Sequence, residues 1–138
     1  MTSGDWIRAG YHSVNSYLVA DSADTLIAWL CDVLGCSERG VREIASDGRI
    51  GHAEVQLGNS VVMLSDASAD DPARPSVNYV YVPDVDSVYR RAVAAGAANL
   101  REPQDWPWGD RVAGFDDPAA NRWWVATCLE NTPSRSDQ

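Results

Sequence analysis

The sequence predicts an α+β fold built from two copies of one β-α-β-β-β module. Three observations carry that expectation. A helix-like stretch ending at Gly35 precedes the hairpin pattern Ile50–Gly58-Asn59–Asp66. A second helix-like stretch ending at Gly96 precedes the hairpin pattern Arg111–Asp117…Asn121–Glu130. The two glycines lie 61 positions apart and the two turn asparagines 62, a period too long for a small solenoid repeat.

Each element has its own signal. Residues 1–12 read as an N-terminal arm whose Trp6 is either loose or packed on a partner subunit. The first module, residues 13–66, starts with a strand over Val14–Ala20. Asp21-Ser22-Ala23-Asp24 offers helix N-caps, and Leu26, Ile27, Leu30 and Leu34 fall on one helical face until Gly35 stops it. Val41–Ala45 reads as a short strand turned by Ser46-Asp47-Gly48. In the next strand Ala53, Val55 and Leu57 alternate with His52, Glu54 and Gln56, and Gly58-Asn59 turns the chain into Val61–Leu64. Residues 67–75 are poor in large apolar side chains and read as a linker. The second module, residues 76–130, starts with the strand Val77–Val82, ended by Pro83. Asp84 then caps a helix with Val85, Val88, Tyr89, Ala92 and Val93 on its packed stripe. Glu102–Asp110 reads as a loop before the last hairpin, and residues 131–138 as a disordered tail.

A chain of 138 residues with 45% apolar content is large enough for one domain with its own core. Eleven basic residues, all arginine, against twenty acidic ones give a net charge of −9, which argues against nucleic acid and anionic membranes. The same charge reads either as solubility or as a bias toward neutral or cationic ligands. No apolar run approaches the roughly 20 residues that cross a bilayer. The first ten residues lack the pattern of a signal peptide, and the three cysteines lack metal-type spacing. Free thiols and a cytoplasmic location are expected. Phosphate-binding glycine loops and activated nucleophiles are absent from the sequence, so no cofactor is expected.

His52 and Glu54, two apart on a strand, face the same way and suit proton transfer or binding of a cationic group. The simpler reading is a solvated or structural polar pair. Trp106, Trp108, Trp123 and Trp124 cluster in the last quarter of the chain. Tryptophan offers flat area for aromatic or cationic ligands. Trp123 shares parity with Val125 and belongs to the core. Trp106-Pro107-Trp108 forms either a cavity rim or the cover of a sheet edge. Arg111 is an anion clamp or, more simply, an ion-pair partner of Asp110, Asp116 or Asp117.

The strings IGHAEVQLGNSVVMLSD, YVPDVDSVYRRAVAAG and WGDRVAGFDDPAANRWWVAT together resemble the vicinal oxygen chelate superfamily. That superfamily holds glyoxalase I, bleomycin-resistance proteins and extradiol dioxygenases. The likeness spans about residues 13–130 and is closest to small bacterial glyoxalase/bleomycin-resistance-like proteins. It implies two βαβββ sheets curling around one cavity, helices on the outer faces, and a homodimer, in some members with exchanged segments. Metal-dependent relatives hold a metal with His, Glu or Gln from the first and last strand of each module. Those positions fall near Asn15, Met63, Val77 and Trp124, or one residue on at Ser16, Leu64, Asn78 and Trp123. Neither set suits a first-row divalent ion, so no metal is expected there. Trp124 instead points into the cavity, with Tyr17, Tyr79 and Tyr81 on the same inner faces as Asn15 and Val77. In the last turn, Ala119-Ala120 stands where the family often has a glycine of positive φ, a conformation alanine tolerates poorly.

The resemblance thus implies a metal-independent small-molecule-binding protein that takes an aromatic, neutral or cationic ligand such as an antibiotic or secondary metabolite. Its expected ligand contacts are Asn15, Tyr17, His52, Glu54, Met63, Tyr79, Trp106, Trp108 and Trp124. The alternatives are a metal-independent lyase, isomerase or cyclase using Glu54, His52 or a tyrosine as acid or base, a metal enzyme with unusual ligands, and a structural dimer.

Overall fold

The computed structural model describes residues 6–129. The first five residues of the expected arm, Glu130 of the last hairpin and the tail over 131–138 lie outside the described residues. The chain divides into two compact units, residues 1–76 and 77–138. Each repeats the predicted order of strand, helix and three strands.

In the first unit β1 (Tyr17–Ala20) leads into α1 (Ala23–Leu34). The chain continues through β2 (Ser37–Ile44), β3 (Ile50–Leu57) and β4 (Ser60–Asp66). The sheet order is β1-β4-β3-β2, with β1 parallel to β4 and the other pairs antiparallel. Ser22 caps α1 by accepting from the Thr25 N–H at 3.2 Å. Gly35 ends it in the left-handed region at φ 71°, where its N–H and that of Cys36 both return to the Leu30 carbonyl. The apolar stripe of α1, with Leu26, Leu30 and Val33 all but inaccessible, buries Leu18, Ala53, Val55 and Leu64 on one face of the sheet. Removing a side chain at the centre of this stripe, as in Leu30→Ala, costs about 2–5 kcal/mol.

The second unit runs β5 (Val77–Tyr81), α2 (Val85–Ala94), β6 (Ala98–Asp105), β7 (Asp110–Asp116) and β8 (Arg122–Cys128), with sheet order β5-β8-β7-β6. Asp84 caps α2 through the Ser87 N–H at 3.3 Å. Val85, Val88 and Ala92 are buried above Ala113, Phe115, Trp123 and Val125. The expected stripe is narrower than its sequence, because Val93 is exposed.

The two units start their helices by the same device. In the first, the Asp66 carboxylate at the end of β4 accepts the Ala23 N–H of α1 and the Ile50 N–H of β3, both at 2.7 Å. In the second, the Thr127 hydroxyl of β8 accepts the Val85 N–H of α2 at 3.2 Å and donates to the Val82 carbonyl at 2.7 Å. Each side chain thus satisfies a helix N–H that has no partner within the helix.

Four expectations need correction. The first strand begins at Tyr17, not Val14, because the Asn15 side chain closes a turn, accepting from the His12 N–H at 3.0 Å and donating to its carbonyl at 2.7 Å. The strand expected over Val41–Ala45 is β2, which runs over Ser37–Ile44 with an irregular register against β3. The expected loop over Glu102–Asp110 is a strand as far as Asp105, paired with β7. Arg111 pairs with Asp86 on α2 and with Asp105, not with Asp110, Asp116 or Asp117.

The last turn keeps the conformation that a glycine would favour. Ala120 sits at φ 64°. The Asp117 carboxylate accepts the N–H groups of Ala119 and Asn121, the Asn121 amide and the Trp123 indole N–H. This hub holds Trp123 in the core at 1% exposure and leaves Trp124 on the opposite face of β8. Residues 67–75, expected as a linker, begin with an Ala67 N–H bonded to the Ala20 carbonyl, and Arg74 forms an antiparallel bridge to Val19.

Candidate ligand-binding site

Strand alternation sorts the first-unit candidates onto the sheet face opposite α1. Tyr17, Met63, Glu54 and Arg39 are register partners across β1, β4, β3 and β2, and so share that face. His52 lies two residues from Glu54, its Nε2 2.9 Å from Glu54 Oε2 and its ring 6.1 Å from that of Tyr17. Glu54 also receives a hydrogen bond from Tyr11, and Arg39 Nε lies 3.6 Å from Glu54 Oε1. The Arg39 guanidinium stands 5.6 Å from the Tyr11 ring centre and donates to Gln56 at 2.8 Å. Burial pushes the Glu54 carboxyl up, but hydrogen bonds from Tyr11 and His52, with the charges of His52 and Arg39, outweigh it and hold the carboxyl below its ordinary value. A carboxylate so well supplied with donors orients His52 more readily than it accepts a proton. Asn15 does not join this group, since its amide is spent on the His12 turn.

The second-unit candidates meet on the corresponding face of the other sheet. Tyr79, Trp124, Gly114 and Arg101 are partners across β5, β8, β7 and β6. The six-membered ring of Trp124 lies directly over Gly114, where a Cβ would come within 2.5 Å of Cζ3. The Arg122 guanidinium stacks 4.9 Å from the centre of the same indole, and its Nε is 2.9 Å from Asp116. Trp124 and Trp106 line a cavity of about 500 Å³ together with Arg101, Glu102, Pro103, Gln104 and Val112. Trp106 stacks on Trp108 at 5.2 Å and 14°, and the Trp108 indole N–H points to the Tyr79 hydroxyl at 3.5 Å. Tyr79 and Tyr81 both donate to Asp110 Oδ2, at 2.7 and 2.8 Å. Hydrogen bonding to Asp110, with burial, pushes the Tyr81 phenol up to about 12.

This cavity has the size of a small-molecule site, with aromatic walls and a few polar groups. Sequence reasoning missed Arg101 and Gln104, because β6 carries no alternation that assigns its side chains to a face, and it missed Arg122 at the start of β8. It also missed Asp110 as the shared acceptor of two tyrosines, since a buried carboxylate between strands leaves no spacing motif.

The positions that carry metal ligands in dependent relatives offer an amide engaged in a turn (Asn15), a thioether (Met63), an aliphatic side chain (Val77) and an indole stacked on backbone (Trp124). In the adjacent register, Leu64 and Trp123 are core residues. Neither donor set fits a first-row divalent ion. Among the described residues no three His, Cys, Asp or Glu side chains converge as a metal site.

The model of the Glyoxalase/Bleomycin resistance protein/Dioxygenase superfamily matches residues 10–125. An uncharacterized protein of Mycobacterium bovis is 29% identical over 122 residues, covering 80% of each chain. The crystal structure of TioX from Micromonospora sp. ML1 superposes with a TM-score of 0.68 at 27% identity, covering 84% of this chain and 99% of that one. TnmS3, an antibiotic binding protein from Streptomyces sp. CB03234, has a TM-score of 0.63 at 20% identity, covering 85% of this chain and 97% of that one. This last likeness is one of fold.

Proposed function

The chain belongs to the Glyoxalase/Bleomycin resistance protein/Dioxygenase superfamily, and we propose that within it the chain is a metal-independent binding protein. It sequesters a flat aromatic small molecule, an antibiotic or secondary metabolite, and works as a cytoplasmic homodimer. The observation that carries this reading is Trp124, seated on Gly114 and forming with Trp106 the wall of the 500 Å³ cavity. Where metal-dependent relatives keep a ligand, this chain keeps a stacking surface. The bleomycin resistance proteins named in the family description and the antibiotic-binding TnmS3 support the ligand class. Titration with a panel of flat aromatic compounds is expected to quench tryptophan fluorescence and to raise the melting temperature, by up to about 2.7 kcal/mol of added stability at a hundredfold excess over Kd. Trp124→Ala is expected to abolish both responses. Silence across the panel would refute the proposal.

A second reading, a metal-independent lyase, isomerase or cyclase, is favoured by the His52–Glu54 contact on the first sheet. There His52 carries the proton and Glu54 orients it. His52→Asn then abolishes turnover, while Glu54→Gln lowers it and shifts its pH profile. Equal and complete losses from both would assign the proton to Glu54 instead.

A further inference from the structure

The cavity's own charge differs from that of the chain. Arg101 projects from β6 and lines both the 500 Å³ cavity and an adjoining one of about 350 Å³, which it shares with Asn99, Leu100 and Arg122. Among the described residues the Arg101 side chain has no hydrogen bond and no ion pair. In a chain with twenty acidic residues, an arginine beside a cavity without a carboxylate partner is conspicuous. Arg122, the second cation of the corner, spends Nε on Asp116, while its Nη1 is buried without a hydrogen-bond partner. Such a donor is costly to leave unmatched, by about 1–3 kcal/mol. Asp116 is already engaged a second time, since it also accepts the Asn99 amide at 2.7 Å. Only Glu102 among the lining residues of either cavity is acidic.

We propose that this corner of the second sheet binds the anionic group of an aromatic acid, a carboxylate held by Arg101 with Arg122 behind it, while the ring stacks against Trp124. The proposal rests on the aromatic-binding reading of the same cavity and departs from the neutral or cationic ligand that net charge suggests. Net charge acts over the whole surface and governs steering and solubility. Ligand choice in a cavity is decided by the groups within hydrogen-bond reach, and guanidinium pairs with carboxylate through two parallel donors. The arrangement is also preformed. Gly114 lets Trp124 and Arg122 settle against β7, and a Cβ there would approach Arg122 Nη1 to 2.9 Å.

Isothermal titration calorimetry with three probes of one shape tests this: 2-naphthoate, 2-naphthylmethanol and 2-naphthylmethylammonium. The expected order puts naphthoate about ten-fold or more tighter than the alcohol, with the ammonium weakest. R101Q is expected to bring naphthoate and the alcohol within about two-fold of each other, and added salt to narrow the same gap in the unsubstituted protein. Arg101 is exposed and unpaired, so R101Q leaves the fold intact, which its circular dichroism checks. An alcohol or ammonium that binds as tightly as naphthoate overturns the anion site while leaving aromatic binding in place. A naphthoate preference that survives R101Q also overturns it. Failure of all three probes overturns the aromatic reading, and the anion site with it.

Discussion

Ala120 shows how a single residue can carry strain for the sake of its neighbours. Its φ of 64° lies where a Cβ crowds the following carbonyl, at a cost of about 1–2 kcal/mol. The Asp117 hub with Asn121 and Trp123 compensates, which is why the turn persists without the glycine common in the family. Ala120→Gly is expected to raise unfolding stability in urea by about 1 kcal/mol, after the extra chain entropy of glycine is subtracted. A loss of stability would place the strain elsewhere. Tyr81 offers a second test at this scale. Its phenol is pushed up to about 12 in the folded protein, chiefly because its hydroxyl donates to Asp110. A raised folded value favours the protonated, folded state, so this contribution is fully present below about pH 10 and is lost as pH rises through about 12. Spectrophotometric titration is expected to show a late phenol that Tyr81→Phe removes and that Asp110→Asn shifts back toward about 10, distinct from Tyr11, which its hydrogen bond to Glu54 also raises. An unchanged late phase in Tyr81→Phe would sink the assignment.

At the scale of the element, β7 and β8 act as a pair whose function depends on a missing side chain. Gly114 gives Trp124 its place, so Gly114→Ala is expected to cost about 1–3 kcal/mol and to weaken aromatic ligands at least ten-fold by tilting the indole off the strand. A crystal structure of that variant with Trp124 unmoved would contradict this. The elements also show where sequence reading works. From Ala53 to Leu57 the β3 strand alternates apolar and polar residues with its apolar face on a helix, so its faces are legible. The edge strands β2 and β6 have most of their side chains accessible, with no apolar period to betray them. The consequence is specific: Arg101 stands on β6, and a loop reading there hides an arginine beside the pocket. Trp124, on a strand of clear parity, is legible from sequence as a residue opposite the core.

For the whole molecule, the duplication is the most legible feature, because helix-ending glycines and hairpin turns recur at nearly fixed distance. What duplication does not predict is the divergence between copies. The first sheet gathers a histidine, a glutamate and an arginine on one face, and the second gathers tryptophans and tyrosines. Only side-chain contacts separate a charged network from a stacking surface. One shared detail, the side chain that clips the start of each helix, has a kinetic meaning. Asp66 reaches back 43 residues to Ala23, and Thr127 reaches back 42 to Val85. The parallel strand pairs close over similar spans, Tyr17 to Met63 and Tyr79 to Trp124. A parallel pairing is slow to form when the intervening chain is long, because closing a larger loop loses more entropy. Here the repeat length caps that loop at about a third of the chain, so a protein of 138 residues pairs its strands with the contact order of a much shorter one.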